Sequence, residues 1–553
     1  MHRQKFFPLL ENILSHPSII SIRKHVIITD EFNFLPITAN DISKEIRHLD
    51  PKKNGGCIAT KLLKEMNHIL CQPLADVWNT ELLKNKTFSG KLKLGDITPL
   101  FKALQNTNKK NYRPITILVV VSKIFEKIMD KQSINFIERF LSKYLCGYRT
   151  KFNPQVALVP MIENWKMSRD NKSYAGGVLM DLSKAFDTIH HGLLLAKMHA
   201  YGFSIDALKI IRSYLSDRWI RTKVNGSYST WKEIFSGMPQ GSVNGPKWFN
   251  LYLNDLFYLF INTQVCNIAD DSTPYACDAN LRILLQNIES DVASAIMWFD
   301  ANYMLLNQPK CHFLTSSTSP EQLWIQVGEQ VIWESMKEKL LGVTIDKNLL
   351  FNHHVQILCN KASAKVTALG RLIKIVSMEK KKMLMNAFIE SQFSYCPLIW
   401  MFCHSRRLNN RINHIHERGL RIVYDDNVSS FEELLRKNNS VCIHHRNIQL
   451  VAIEMFKVKY GLCPEVMRVI FQINSNHEGK TFDIPSVHTE YMGKLSLRYF
   501  GPVVWEIMLP AHYKKITVLE KFKEEIRNWI PDCNCRLCKN YVSGVGYVGN
   551  IEC

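Results

Sequence analysis

Residues 266–276 read CNIADDSTPYA, two apolar runs that meet at the adjacent carboxylates Asp270 and Asp271. Short apolar segments on either side of a polar pair predict a strand, a two-residue turn and a second strand. Taken alone, the doublet fits a solvated turn. At a dry sheet edge, however, adjacent acids repel, and they persist only with a cation or a proton between them. Two upstream features favour that second reading. VLMDL, residues 178–182, is another apolar strand interrupted by Asp181, where an unpaired acid would be costly. A Gly/Pro loop, Pro239-Gln240-Gly241-Ser242, lies between the two acidic segments. Successive strand residues alternate faces, so one acid of the doublet shares a face with Asp181, and Asp270 is the expected partner. Asp181 and Asp270 could hold two Mg²⁺ ions through oxygen ligands, roughly 3.5–4 Å apart. Such a pair activates an attacking hydroxyl and neutralises a departing pyrophosphate.

Around this nucleus the predicted elements are mixed. RTKVNGSYSTWKEI, from Arg221, places Asn225-Gly226 between alternating segments, a hairpin pattern. SGMPQGSVNGP is a loop opening onto an amphipathic helix, and short strands are expected in CHFLTSS and KLLGVTID. The first 170 residues are expected to be mainly helical, with helical spacing over about 58–85 and 117–141. Residues 1–45, with Pro8, Pro17 and Pro36, read as a loosely packed leader. Beyond about residue 350 the pattern is helical, basic and His-rich. The fold class is therefore α+β, a sheet-bearing middle flanked by helical lobes.

The chain has 553 residues, with 70 Lys and Arg against 50 Asp and Glu, a formal charge of +20. That excess points to a polyanionic partner, nucleic acid first. Fifteen scattered cysteines read as a reduced, intracellular chain and not a disulfide scaffold. No apolar run approaches the roughly 18 residues of a membrane span, and no secretory signal pattern is evident, so a soluble protein is expected. The sequence leaves nucleus and cytoplasm open. A second doublet, Asp425-Asp426, ends a basic helical stretch and precedes Ser430-Phe431-Glu432-Glu433, a capping-box pattern. It is read as an inter-helix loop without a catalytic role.

With these residues in place, the chain resembles the reverse transcriptases of non-long-terminal-repeat, jockey-like retrotransposons. VLMDLSKAFDTIHH, GMPQGSVNGPKWFNLYLNDL and IADDSTPYA resemble three successive catalytic blocks. WFDANYMLLNQPKCHFL resembles a fourth, and KLLGVTIDKNLLFNHHV the entry to the thumb; ITPLFK and NYRPITIL resemble the fingers. The resemblance implies a right-hand polymerase: a leader over 1–45, fingers over 46–175, and a palm with an antiparallel sheet over 176–348. A thumb or basic helical region over 349–460 and a C-terminal region over 461–553 complete it. It implies an RNA-directed DNA polymerase using two Mg²⁺ ions, an RNA template, a DNA primer or target, and deoxynucleoside triphosphates. Asp181, Asp270 and Asp271 would be the catalytic, metal-binding carboxylates. Phe186 would be the gate against a ribose 2′-hydroxyl, with Gln240 and Gly241 lining nucleotide and template. Arg113 would meet the triphosphate, and Lys310 would protonate the leaving pyrophosphate. The chain departs from the family pattern at Asn54-Gly55-Gly56-Cys57, at Leu145, at Asn153-Pro154 and at Cys311. Those departures suit an alternative, an inactive remnant that only binds nucleic acid. An endonuclease segment would precede the polymerase in such elements; the chain reads as the polymerase portion of a longer frame or a truncated copy.

Residues 404–421 place Arg406, Arg407, Arg411, Arg418 and Arg421 on a helix that could track a phosphate backbone without sequence preference. Cys533, Cys535 and Cys538 form C-x-C-x2-C, a spacing that could hold zinc but lacks a clear fourth ligand. His444 and His445 read as packing or surface residues.

Overall fold

The computed structural model describes residues 13, 15–52, 59–102, 105–317, 321–372, 375–474, 480–533 and 537. Its strands are β1 (Leu94–Phe101), β2 (Tyr112–Leu118), β3 (Tyr174–Leu179), β4 (Leu182–Ser183), β5 (Arg218–Val224), β6 (Ser227–Tyr228) and β7 (Lys232–Ile234). They continue as β8 (Gln264–Ile268), β9 (Asp271–Asp278), β10 (Leu305–Leu306) and β11 (His312–Ser316), followed by hairpins at 324–333 and 337–346. The helices that frame the sheets are α1 (Val120–Glu138), α2 (Pro154–Asp170), α3 (His191–Ala200), α4 (Gly245–Leu253) and α5 (Leu281–Ala301). A sixth, α6 (Arg406–Tyr424), belongs to the helical second half.

The central sheet runs β11-β3-β9-β8, antiparallel throughout. Its strands are buried along most of their length because both faces are covered. Val178, Val265, Ala276 and Phe313 pack into one core with residues of α4 and α5. Their alternates Ala175, Cys266, Tyr275 and Leu314 pack into the other, with α2 and the helices beyond residue 350. The expected strand, turn and strand around the acidic doublet are present, with Ile268 paired to Asp271 and Ala269-Asp270 as the turn. The Asn225-Gly226 hairpin is also present, both residues having positive φ, as the tight turn requires.

The second sheet runs β2-β1-β5-β6, with β7 on β5; β1 pairs antiparallel with β2 and parallel with β5. Its strands β1 and β2 interrupt the first 170 residues, which are otherwise mainly helical, as expected. Pro99 and Pro114, which face each other across β1 and β2, removed the strand signal from the sequence. The loosely packed leader is corrected. Ile19, Ile22, Ile42 and Ile46 are fully buried, and Phe32 packs on Phe136 and Phe203.

One departure from the family pattern has a local explanation. Asn153 caps α2 by accepting the Val156 N–H, and Pro154 occupies its first turn, where no N–H is needed. Asn54–Cys57 lie outside the described residues. No described helix is long and apolar enough to cross a membrane, and the described cysteines form no disulfide.

Candidate active site

The strand that carries Asp181 breaks at it: β3 ends at Leu179, Met180 bridges to Ser272, and β4 resumes at Leu182. The Met180 N–H donates to the Ser272 carbonyl at 3.0 Å. One step further along that antiparallel register lies Asp271, opposite Asp181, while Asp270 stands in the turn beside it. Ala269 holds that turn with φ 55°. Gly147 is pressed against it, since a Cβ there would lie 2.6 Å from the Ala269 nitrogen. Three carboxylates from two segments therefore converge.

Their electrostatics reflect this. Desolvation raises the Asp270 carboxyl, its own backbone N–H opposes that, and the Asp181 charge raises it further. Asp271 is pushed up to about 6, first by the protein crowded around it and then by Asp270 and Asp181. Two cations act the other way. Lys102, just past β1, lowers both acids of the doublet, and Arg113 of β2 lowers Asp270. Asp181 accepts hydrogen bonds from Asn307 Nδ2 at 3.1 Å and Lys310 Nζ at 3.3 Å. Among the described residues no three His, Cys, Asp or Glu side chains close into a coordination cage. The donor set at the carboxylate cluster nonetheless suits a hard divalent cation, because it is all carboxylate oxygen and its mutual repulsion is what such an ion offsets.

The Gln240 loop joins β2 to the segment that follows Asp181. The Gln240 carbonyl accepts the Thr116 N–H at 2.8 Å, so the loop extends the free edge of β2. Gln240 Nε2 donates to Asp187 Oδ1 at 3.1 Å. Gly241 has φ 139°, and a Cβ there would lie 2.4 Å from the Thr116 carbonyl oxygen. Behind the loop, buried Glu126 of α1 accepts the Val243 N–H at 2.7 Å and the Tyr214 hydroxyl at 2.9 Å. Phe186 is half-buried and stacks on Phe249 at 4.6 Å, with Tyr148 edge-on at 6.0 Å. Burial, and then Asp270, raise the Tyr148 hydroxyl, which places that ring at the same cluster.

The structure thus brings together Asp181, Asp270, Asp271, Arg113 and Lys310, and sets Gln240, Gly241 and Phe186 in one connected surround. Sequence reasoning missed Lys102, Asn307, Tyr148 and Glu126. Lys102 and Asn307 sit inside quoted motifs, ITPLFK and LLNQPK, but nothing in their identity separates them from solvated residues.

The remaining candidates lie elsewhere. On α6, Arg406 and Arg407 are exposed, while Arg411 donates to Asn360. Arg418 is half-buried, and Arg421 pairs with Glu417 at 2.6 Å. The opposite face, with Leu408, Ile412, Ile415 and Leu420, is buried. Cys535 and Cys538 lie outside the described residues. Cys533 lines a cavity of about 270 Å³ with Cys442, His444 and His445. His444 is buried against Phe402, a packing role. Asp425 ends α6 with φ 51°, and Asp426 accepts the Val428 and Ser429 N–H groups beside the Ser430–Glu433 capping box. Its carboxyl is held well below the usual range by Lys437, then by Ser429. This doublet is an inter-helix loop.

Residues 104–345 match the family described as reverse transcriptase (RNA-dependent DNA polymerase). That span is a reverse-transcriptase-like domain. All three catalytic carboxylate candidates, the Gln240 loop and Phe186 fall inside that domain. The chain is 24% identical over 415 residues to a protein named probable RNA-directed DNA polymerase from transposon BS of Drosophila melanogaster, covering 70% of this chain and 45% of that one. It is 24% identical to the RNA-directed DNA polymerase from mobile element jockey of the same fly, over 48% of this chain and 30% of that one. For the probable polymerase from transposon X-element, also from that fly, the figures are 24%, 62% and 39%. The chain thus spans less than half the length of these relatives. Apo telomerase from Candida tropicalis, truncated from its C-terminal domain, aligns with a TM-score of 0.32 at 14% identity, over 50% of this chain and 59% of that one.

Proposed function

We propose that the chain is an RNA-directed DNA polymerase of a non-long-terminal-repeat retrotransposon, extending a primer 3′-hydroxyl along an RNA template. One observation carries the reading. Three carboxylates meet at the end of the central sheet, and the charges of Lys102, just past β1, and Arg113, on β2, act to lower the doublet's carboxyls. In this reading residues 46–175 act as fingers, 176–348 as palm and 349–460 as thumb, with a C-terminal region over 461–553.

Asp181, Asp270 and Asp271 would hold two Mg²⁺ ions. When bound, these ions supply activation of the 3′-hydroxyl and neutralisation of charge on the departing pyrophosphate. The chain's own residues do the rest. Arg113 and Lys102 draw in the triphosphate, the guanidinium through forked contacts and the ammonium as a point charge. The Gln240-Gly241 backbone, fixed to β2, lets nucleotide and template approach closely. Phe186, braced by Phe249, excludes a 2′-hydroxyl. Lys310, poised beside Asp181, protonates the leaving group. The exposed arginines of α6 hold duplex phosphates.

Primer extension on an RNA template with Mg²⁺ and deoxynucleotides tests this. The wild-type chain is expected to extend, EDTA to stop it, and Asp270→Asn to slow it by about 10²–10³-fold or more. Undiminished extension by Asp270→Asn would remove the assignment. Salt-sensitive RNA binding with no extension would replace it with the inactive remnant.

A further inference from the structure

β5, β6 and β7 present an unusual surface. Trp219, Arg221 and Lys223 alternate along one side of β5. The register places Tyr228 opposite Lys223 and Glu233 opposite Trp219. Trp231 and Phe235 therefore follow on the same side. Large apolar rings stay in solvent here: Trp219 is 39% exposed, Tyr228 46%, Trp231 37% and Phe235 79%. The other side of β5 begins with Arg218, which is buried. The exposed rings are interleaved with cations. The Arg221 guanidinium lies 3.9 Å above the Tyr228 ring centre and 4.5 Å from that of Trp231. Asp96 of β1, paired in register with Arg221, holds that guanidinium through Nε at 2.7 Å. Lys223 Nζ lies 5.2 Å from the Tyr228 ring.

This face is continuous with the candidate active site. Asp96 pairs with Arg221 on one side and Ile117 on the other, and Leu100 pairs with Arg113. Arg113 therefore shares the exposed face of the sheet, two strand spacings, roughly 10 Å, from β5. Rings that stand in water between cations suit a ligand with flat apolar faces strung on a line of negative charge. A single-stranded nucleic acid has both, whereas a duplex hides its base faces in the stack.

We propose that this face is a stacking platform for the unpaired RNA template ahead of the Asp181, Asp270 and Asp271 cluster, an inference that rests on the polymerase reading. Arg221, held by Asp96, keeps the Tyr228 and Trp231 rings apart and upright, so bases stack without reordering the surface. Trp219 and Phe235 extend the platform, and Lys223 meets phosphate.

The test is fluorescence anisotropy of a labelled single-stranded RNA of roughly 12 nucleotides, without Mg²⁺ or nucleotides, beside a blunt RNA–DNA duplex. Tyr228→Ala with Trp231→Ala is expected to weaken single-strand binding about 10-fold or more while changing duplex binding little. Trp231→Phe is expected to retain most of the affinity. Thermal melting establishes that the double variant folds. Unchanged single-strand affinity in a folded double variant would overturn the proposal, as would an equal loss for duplex. A concentration-dependent dimer abolished by the double variant, with RNA affinity intact, would also overturn it and assign the face to a second copy. Because the assay needs no catalysis, ring-dependent single-strand binding without primer extension would sustain the platform and remove the polymerase reading.

Discussion

Gly241 shows how one residue ties the Gln240 loop to the second sheet. Its φ of 139° lies where side chains are strained, and its missing Cβ lets the loop bond the edge of β2 at Thr116. Gly241→Ala must move the loop or break that bond. The expected result is a stability loss of about 1–3 kcal/mol together with a large fall in primer extension. Gly226→Ala is the control, since Gly226 also has positive φ, 85°, but meets nothing within 4 Å. It should cost comparable stability with much less effect on synthesis. Equal extension losses in the two variants, measured beside urea melts, would show that Gly241 acts through stability alone. At this scale the acids were legible in sequence because each interrupts an apolar strand, where polarity is costly. Lys102 and Asn307 were not, because a polar residue outside a strand carries no such contrast and only the fold supplies its partner.

At the scale of elements, α3, α4 and α5 are locked behind the central sheet by one buried ion pair. Lys197 and Asp255 are both without side-chain exposure and lie 2.6 Å apart. Lys197 also donates to the Tyr252 carbonyl at 2.7 Å, and Trp298 Nε1 to Asp255 at 2.6 Å. Removing one charge strands the other. Lys197→Met is therefore expected to destabilise the chain by about 3–5 kcal/mol, and adding Asp255→Asn should recover part of the loss. Denaturant titration of the two variants measures this; a single variant within about 1 kcal/mol of wild type would mean that water reaches the pair. The apolar pattern of the sequence, two short runs meeting at a polar pair, exposed the hairpin of β8 and β9. It could not expose β1 and β2, whose facing prolines and mixed polarity resemble a loop, nor foresee Phe32 packing on Phe203 far along the chain.

Across the whole molecule, α2 joins the central sheet to a segment more than 300 residues further on. One side of α2 shares a core with Cys266 and Tyr275 of the acidic hairpin. From the helix, Glu163 accepts the Leu497 and Arg498 N–H groups at 3.0 and 2.8 Å, and Lys166 donates to the Leu495 carbonyl at 3.1 Å. Asp170 accepts the Thr489 N–H at 2.7 Å, its hydroxyl at 2.6 Å, and the His488 N–H at 3.0 Å. All three helix side chains are buried, so residues 488–498 are clamped in place and the C-terminal half is no appendage. Sequence could not show this, because a buried acid facing backbone N–H groups looks in sequence like any helix-surface acid. Asp170→Ala leaves those N–H groups without their acceptor, at a cost of about 3 kcal/mol. The loss should concentrate locally: amide hydrogen exchange at residues 488–493 is expected to accelerate before exchange in β3 and β9 does. Simultaneous acceleration in the segment and the sheet would instead mean that the two unfold as a single cooperative unit, and unchanged exchange at residues 488–493 would dismiss the clamp.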